Sequence, residues 1–122
     1  MVTFDKGAAA PQALEIRGYL MTATLVASGP SPSLTVKRKV WNPTFGSTTH
    51  VPLADVVDVQ WRRPTVLRGG WVRPVVRGHE AEEVSATVPA AHEHAVVFAQ
   101  WQGRRARRLH EALQAAVGNL RR

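Results

Sequence analysis

The sequence predicts an α+β protein in which a series of antiparallel strands is closed by one C-terminal helix. Apolar and polar residues alternate with period two over much of residues 13 to 76, as they do in strands with one wet face. Between Ala106 and Leu120 the apolar residues instead fall three and four apart, the spacing of a helix with one buried side. A chain of 122 residues, 44% apolar and 20% charged, has the length and composition of a single core.

The elements follow in order. Residues 1 to 12 hold Gly7, three alanines and Pro11 without a period and are expected to form a flexible arm. Leu14, Ile16, Tyr19, Met21, Ala23 and Leu25 alternate with polar partners, with a break or bulge expected at Gly18. The turn-forming stretch Ser28 to Ser33 leads into a second strand through Leu34, Val36 and Val40, making a hairpin. Asn42, Pro43 and Gly46 make another turn. Thr48 to Leu53 and Val56 to Trp61 are two further strands separated by Ala54 and Asp55. Arg62 to Gly70 is a loop, and Trp71 to Val76 a strand that Pro74 is expected to force to a sheet edge.

Residues 77 to 94 are polar and acidic, with a weak strand around Val84 to Val88. Ala95 to Phe98 is a short apolar strand. From Ala99 to Val117 a helix is expected, with Phe98, Trp101, Leu109 and Leu113 buried against the sheet and Gly118-Asn119 as its stop. The small curved sheet or barrel is thus plugged by its last element, and residues 121 and 122 form a basic tail.

Composition excludes several function classes. No cysteine is present, which removes disulfides, thiolate catalysis and Cys-ligated metals. No run reaches the ~18 apolar residues of a membrane span, and the first residues lack a signal-type apolar block, so a cytoplasmic protein is expected. The net charge of +7 points to an anionic partner, although an Ala/Val/Arg-rich composition also yields such an excess and suits an actinobacterial or bacteriophage source. Most of the surplus lies in Arg104, Arg105, Arg107, Arg108, Arg121 and Arg122, opposed in that stretch only by Glu111.

Three stretches, Val51 to Pro64, Gly69 to Val76 and His94 to Val117, together resemble an actinobacterial and phage family of pleckstrin-homology-like domains of unknown function. Pro52, Leu53, Val56, Val59, Trp61, Gly70, Trp71, Val97, Phe98, Leu109 and Leu113 occupy the family's pattern positions. The resemblance implies a strongly bent antiparallel sheet or barrel of about seven strands over residues 13 to 120, capped by the C-terminal helix. It brings no catalytic residues. The basic helix start and the alanine-rich, acidic stretch from Arg77 to His94 depart from that pattern.

Candidate chemistry is sparse. His92-Glu93-His94 is the densest group of metal-ligand types, but nothing else has ligand spacing, so a solvated loop is expected and neither metal nor cofactor. Asp55 and Asp58 project to opposite faces of a strand, where acid-base work needs convergence. No nucleophile elbow or phosphate loop occurs, so no enzyme is expected. Arg17, Lys37 and Lys39 share a strand face, loosely resembling the first-hairpin basic site of some eukaryotic pleckstrin-homology domains without its full motif. Arg38 points the other way. Trp41 beside them is a candidate for stacking on a base or entering a lipid interface.

Two functional expectations follow. The first is a non-enzymatic module that binds a protein or associates with itself through the helix or an open strand edge. The second is binding of nucleic acid or anionic membrane through the helix arginines. No small-molecule substrate is expected.

Overall fold

A computed structural model describes residues 13 to 86 and 88 to 121. The expected N-terminal arm and Arg122 lie outside the described residues. The fold is α+β. Strands β1 (Ala13–Arg17), β2 (Met21–Val26), β3 (Ser33–Asn42) and β4 (Gly46–Pro52) form one antiparallel sheet in sequence order. Strands β5 (Val56–Arg62), β6 (Gly70–Val76) and β7 (Val96–Phe98) form a second, and helix α1 (Gly103–Leu120) follows. The two sheets do not join into one closed barrel.

The first sheet shows how the alternation is used. Its inner rows are Leu14, Leu25, Leu34 and Val51, and Ile16, Ala23, Val36 and Thr49. Its outer rows are Glu15, Thr24, Thr35 and His50, and Arg17, Thr22, Lys37 and Thr48. Gly18 ends a strand here: residues 18 to 20 turn the chain so that β1 and β2 are themselves a hairpin. A β-carbon at Gly18 would collide with the Val97 carbonyl, and the neighbouring Tyr19 N–H donates to that oxygen at 2.7 Å. The turn thereby fastens the first sheet to β7.

In the second sheet β6 is the central strand, which corrects the edge position expected from Pro74. Strand β7 reaches only Gly70 to Val72, so Pro74, paired with Val59 on the other side, breaks no ladder bond toward β7. Both faces of β6 are covered, since Val72, Arg73, Pro74 and Val75 are all buried. The helix covers one face with Ala106, Leu109, Leu113, Ala116 and Val117, and Phe98 joins the same core.

Irregular chain covers the other face of β6. The strand expected around Val84 to Val88 is absent among the described residues, and the chain instead passes through a 3-10 turn at Pro89–Ala91. Two arginines hold this segment by its main chain. Arg73, 1% exposed, donates from Nη1 to the Glu82 carbonyl at 2.5 Å and from Nη2 to the His79 carbonyl at 2.7 Å. Arg38, on the inner face as its alternation requires, donates to the Glu93 carbonyl and lies over the Phe45 ring.

The helix also departs from expectation at both ends. Residues 100 to 102 form a 3-10 turn, because the Gln102 side chain takes the Ala99 N–H at 2.8 Å and reaches the Gly18 carbonyl at 3.4 Å. At the far end the helix runs through Gly118 and Asn119 to Leu120, where buried Val117 and Arg121 keep it seated. Arg121 donates to the carbonyls of Val56 and Val57 at 3.1 and 2.7 Å, so it is an anchor rather than a free tail.

Candidate functional site

A concentrated basic surface lies where the β5–β6 loop meets the start of α1. Arg104, Arg105, Arg107 and Arg108 are all exposed and, with Arg63, Pro64 and Trp101, line an open cleft of about 660 Å³. Helical spacing fans the four helix arginines around the side opposite Leu109 and Leu113. Among the described residues none of them forms an ion pair with a carboxylate. Glu111 lines the same cleft, one acidic group among five arginines.

Trp101 is the decisive correction. The sequence places it in the core, yet it is 78% exposed. It lies in the 3-10 turn ahead of the helix, outside the buried stripe that begins at Ala106, so its indole stands free at the cleft wall. A second depression, shared by Trp101, Tyr19, Arg68 and Gly69, continues the surface on the other side of the loop. Arg62 also lines it and donates to the Gly69 carbonyl at 3.2 Å; burial first, and then the Arg68 charge, hold its pKa below the ordinary guanidinium value.

The remaining candidates separate from this surface. Arg121 sits 16 residues beyond Arg105 along the helix, ~24 Å away at 1.5 Å per residue, and is engaged with β5. It does not extend the patch. Arg17 and Lys37 share an outer row through Thr22, as expected, standing ~10 Å apart across two strand spacings. Lys39 and Trp41 are exposed farther along β3, Trp41 at 67%. Asp55 lies in the 3-10 turn of Leu53–Asp55 and contributes its carbonyl to Arg77 N–H, while Asp58 Oδ1 accepts from Val59 N–H, so the two make no common site.

The histidine pair requires a second correction. The sequence puts His92 and His94 in a solvated loop, but both are buried because their segment folds onto the outer face of β6. With Glu82 they bring one potential ligand atom each within 4.8 Å of one another. His79 completes the group, its Nδ1 2.6 Å from Glu82 Oε2 and its ring edge-on to His94 at 5.2 Å. His92 Nδ1 accepts the His94 backbone N–H at 3.1 Å, so the neutral ring carries its proton on Nε2. That nitrogen lies 3.2 Å from Glu82 Oε1, off the line of a hydrogen bond.

The 3.2 Å between His92 Nε2 and Glu82 Oε1 is close to the ~3.3 Å between donors of a tetrahedral zinc site, but the proton on Nε2 must leave before that nitrogen can ligate. The Arg73 charge nearby is a further obstacle to a cation. The group's environment also moves the pKa values of its members. Burial, aided by Arg73 at His92 and by His79 at His94, lowers both imidazole pKa values, while the hydrogen bond to Glu82 raises that of His79.

Comparison with protein-family models, with curated proteins and with solved structures finds no match. No helix among the described residues is long and apolar enough to cross a membrane.

Proposed function

We propose that the chain is a non-enzymatic, pleckstrin-homology-like binding module that takes a phosphate-bearing partner in the cleft between the β5–β6 loop and the start of α1. The exposure of Trp101 beside five arginines carries this reading. Guanidinium groups supply bidentate donors and charge for phosphate oxygens, and an indole at the same wall offers a flat apolar contact. Seven strands in two antiparallel sheets followed by a helix support the pleckstrin-homology-like part of the proposal. A protein partner or self-association through the helix would have to meet the arginine side of α1, which favours an anionic partner there.

The test is binding of fluorescent oligothymidylate and heparin across a salt series, with an R104Q/R105Q/R107Q/R108Q variant beside the wild type. Glutamine keeps helix propensity, so the fold should be retained. Wild-type affinity should fall steeply with salt. For the single strand, the log–log slope of the variant should be shallower by ~0.7 for each phosphate that its arginines no longer neutralise. Absence of polyanion binding at low salt, or a variant that binds like wild type, would count against the proposal. A dimer insensitive to salt, seen by light scattering, would return the reading to self-association.

A further inference from the structure

The loop between β5 and β6 carries a feature that a phosphate cleft does not require. Thr65 N–H donates to the Arg68 carbonyl at 2.8 Å, and Leu67 N–H to Thr65 Oγ1 at 3.3 Å, so the chain reverses tightly at Val66 and Leu67. These two aliphatic side chains are 90% and 86% exposed, among the most exposed large apolar residues of the described chain. No turn geometry calls for apolar residues at such an apex; polar residues and glycine are the usual occupants.

What surrounds the tip is equally specific. Its two flanks each share a depression with Trp101, through Arg63 and Pro64 on one side and through Arg68 and Gly69 on the other. Tyr19 adjoins the second depression and is 48% exposed, held there by its bond to Val97. One end of the molecule thus presents an aliphatic tip, an exposed tryptophan and tyrosine beside it, and arginines 62, 63, 68, 104, 105 and 108 behind them. Indole and phenol rings favour the boundary between hydrocarbon and water, aliphatic side chains favour the hydrocarbon, and arginines are drawn to the negative headgroup layer.

We infer that the phosphate-bearing partner is the surface of an anionic bilayer, into which Val66 and Leu67 insert while Trp101 and Tyr19 sit at headgroup level. The inference rests on the anionic-partner reading above and adds the tip to it. A single-stranded nucleic acid would employ Trp101 and the arginines but would leave Val66 and Leu67 in water.

Co-sedimentation with phosphatidylcholine vesicles containing about 30% phosphatidylserine, against pure phosphatidylcholine, tests it, with oligothymidylate as a soluble polyanion. Wild type should sediment with the anionic vesicles alone. V66S/L67S should lose vesicle affinity by about tenfold or more while keeping its oligothymidylate affinity and melting temperature, because both side chains are already solvated. R63Q/R68Q should lose both affinities, by about fivefold per arginine at the vesicle surface. Wild-type vesicle binding by V66S/L67S would overturn the insertion. Binding to oligothymidylate with none to vesicles would overturn the bilayer and leave the cleft reading standing. Binding to neither would overturn both.

Discussion

Arg73 is the largest side chain among those almost wholly buried, and replacing it tests how the irregular segment is held. Its guanidinium makes two short bonds to carbonyls, with a longer contact of 3.4 Å to Gln60 Oε1 and no partner for Nε. Two hydrogen bonds from a charged donor contribute about 3–6 kcal/mol before the cost of burial. Against this stands the desolvation of a cation that no carboxylate ion-pairs, itself several kcal/mol. Arg73→Met removes both contributions and fills similar space, so the expected net loss is about 1–3 kcal/mol. Arg73→Lys retains the buried charge but not the planar fork, and should cost at least as much as methionine. Urea denaturation measures the global loss, and amide exchange localises it. Exchange at His79, Glu82, His92 and Ala95, whose N–H groups close the turns of the segment, should accelerate more than at the core of β2. Stability within ~0.5 kcal/mol of wild type with unchanged exchange would refute the clamp. So would a lysine variant milder than the methionine one.

Two further outcomes are expected. His92 and His94 have pKa values below the free imidazole value of about 6.5, so their contribution is present above that pH and lost as pH falls through their folded values. His79, with its raised pKa, works the opposite way, losing its contribution as pH rises, but it is exposed and screened. The melting temperature should therefore decline as pH drops below about 6.5, and His92→Asn/His94→Asn should flatten the decline; a profile unchanged by the substitutions contradicts the assignment. Gly118 lies in the last turn of α1, and a β-carbon there would meet open space. Gly118→Ala should stabilise by about 0.5–1 kcal/mol, raising the melting temperature by about 3 °C, and a fall would show that the helix end is held in a shape only glycine allows.

The strands are legible wherever one face is wet and the other dry. Leu14 with Ile16, Leu34 with Val36, and Val51 occupy inner rows because alternation and burial coincide there. Legibility weakens where that premise fails. Strand β6 is buried on both faces, so Pro74 reads as an edge residue when it stands at a gap in the ladder of a central strand, and nothing local marks Arg73 as a clamp. The helix ends escape the sequence pattern because tertiary bonds set them: Gln102 holds the start back, and Arg121 carries the end past glycine. At the candidate site, Arg104 to Arg108 are visible as a charge run. Arg63 and Arg68 come from a loop whose meeting with the helix is a matter of topology. Trp101 reads as core because it is apolar and precedes an amphipathic helix, and one 3-10 turn is enough to reverse that. His79 and Glu82 lie ten or more residues before the histidines they join, a separation that no local pattern reveals.

Trp61 and His110 stack with ring centroids 4.6 Å apart and planes 14° from parallel, one on β5 and the other on α1. Burial lowers the His110 pKa, so the ring facing the indole is neutral near physiological pH. A protonated imidazole quenches indole emission far more strongly than a neutral one. The seam between helix and sheet therefore carries its own optical reporter. Emission from Trp61 will dim when acid reaches His110 and recover its solvated spectrum when the helix leaves the sheet. Trp41, solvated on β3 away from this seam, will respond to neither event. Single-tryptophan variants would thus separate undocking of the helix from events at the cleft within one molecule, without an added dye.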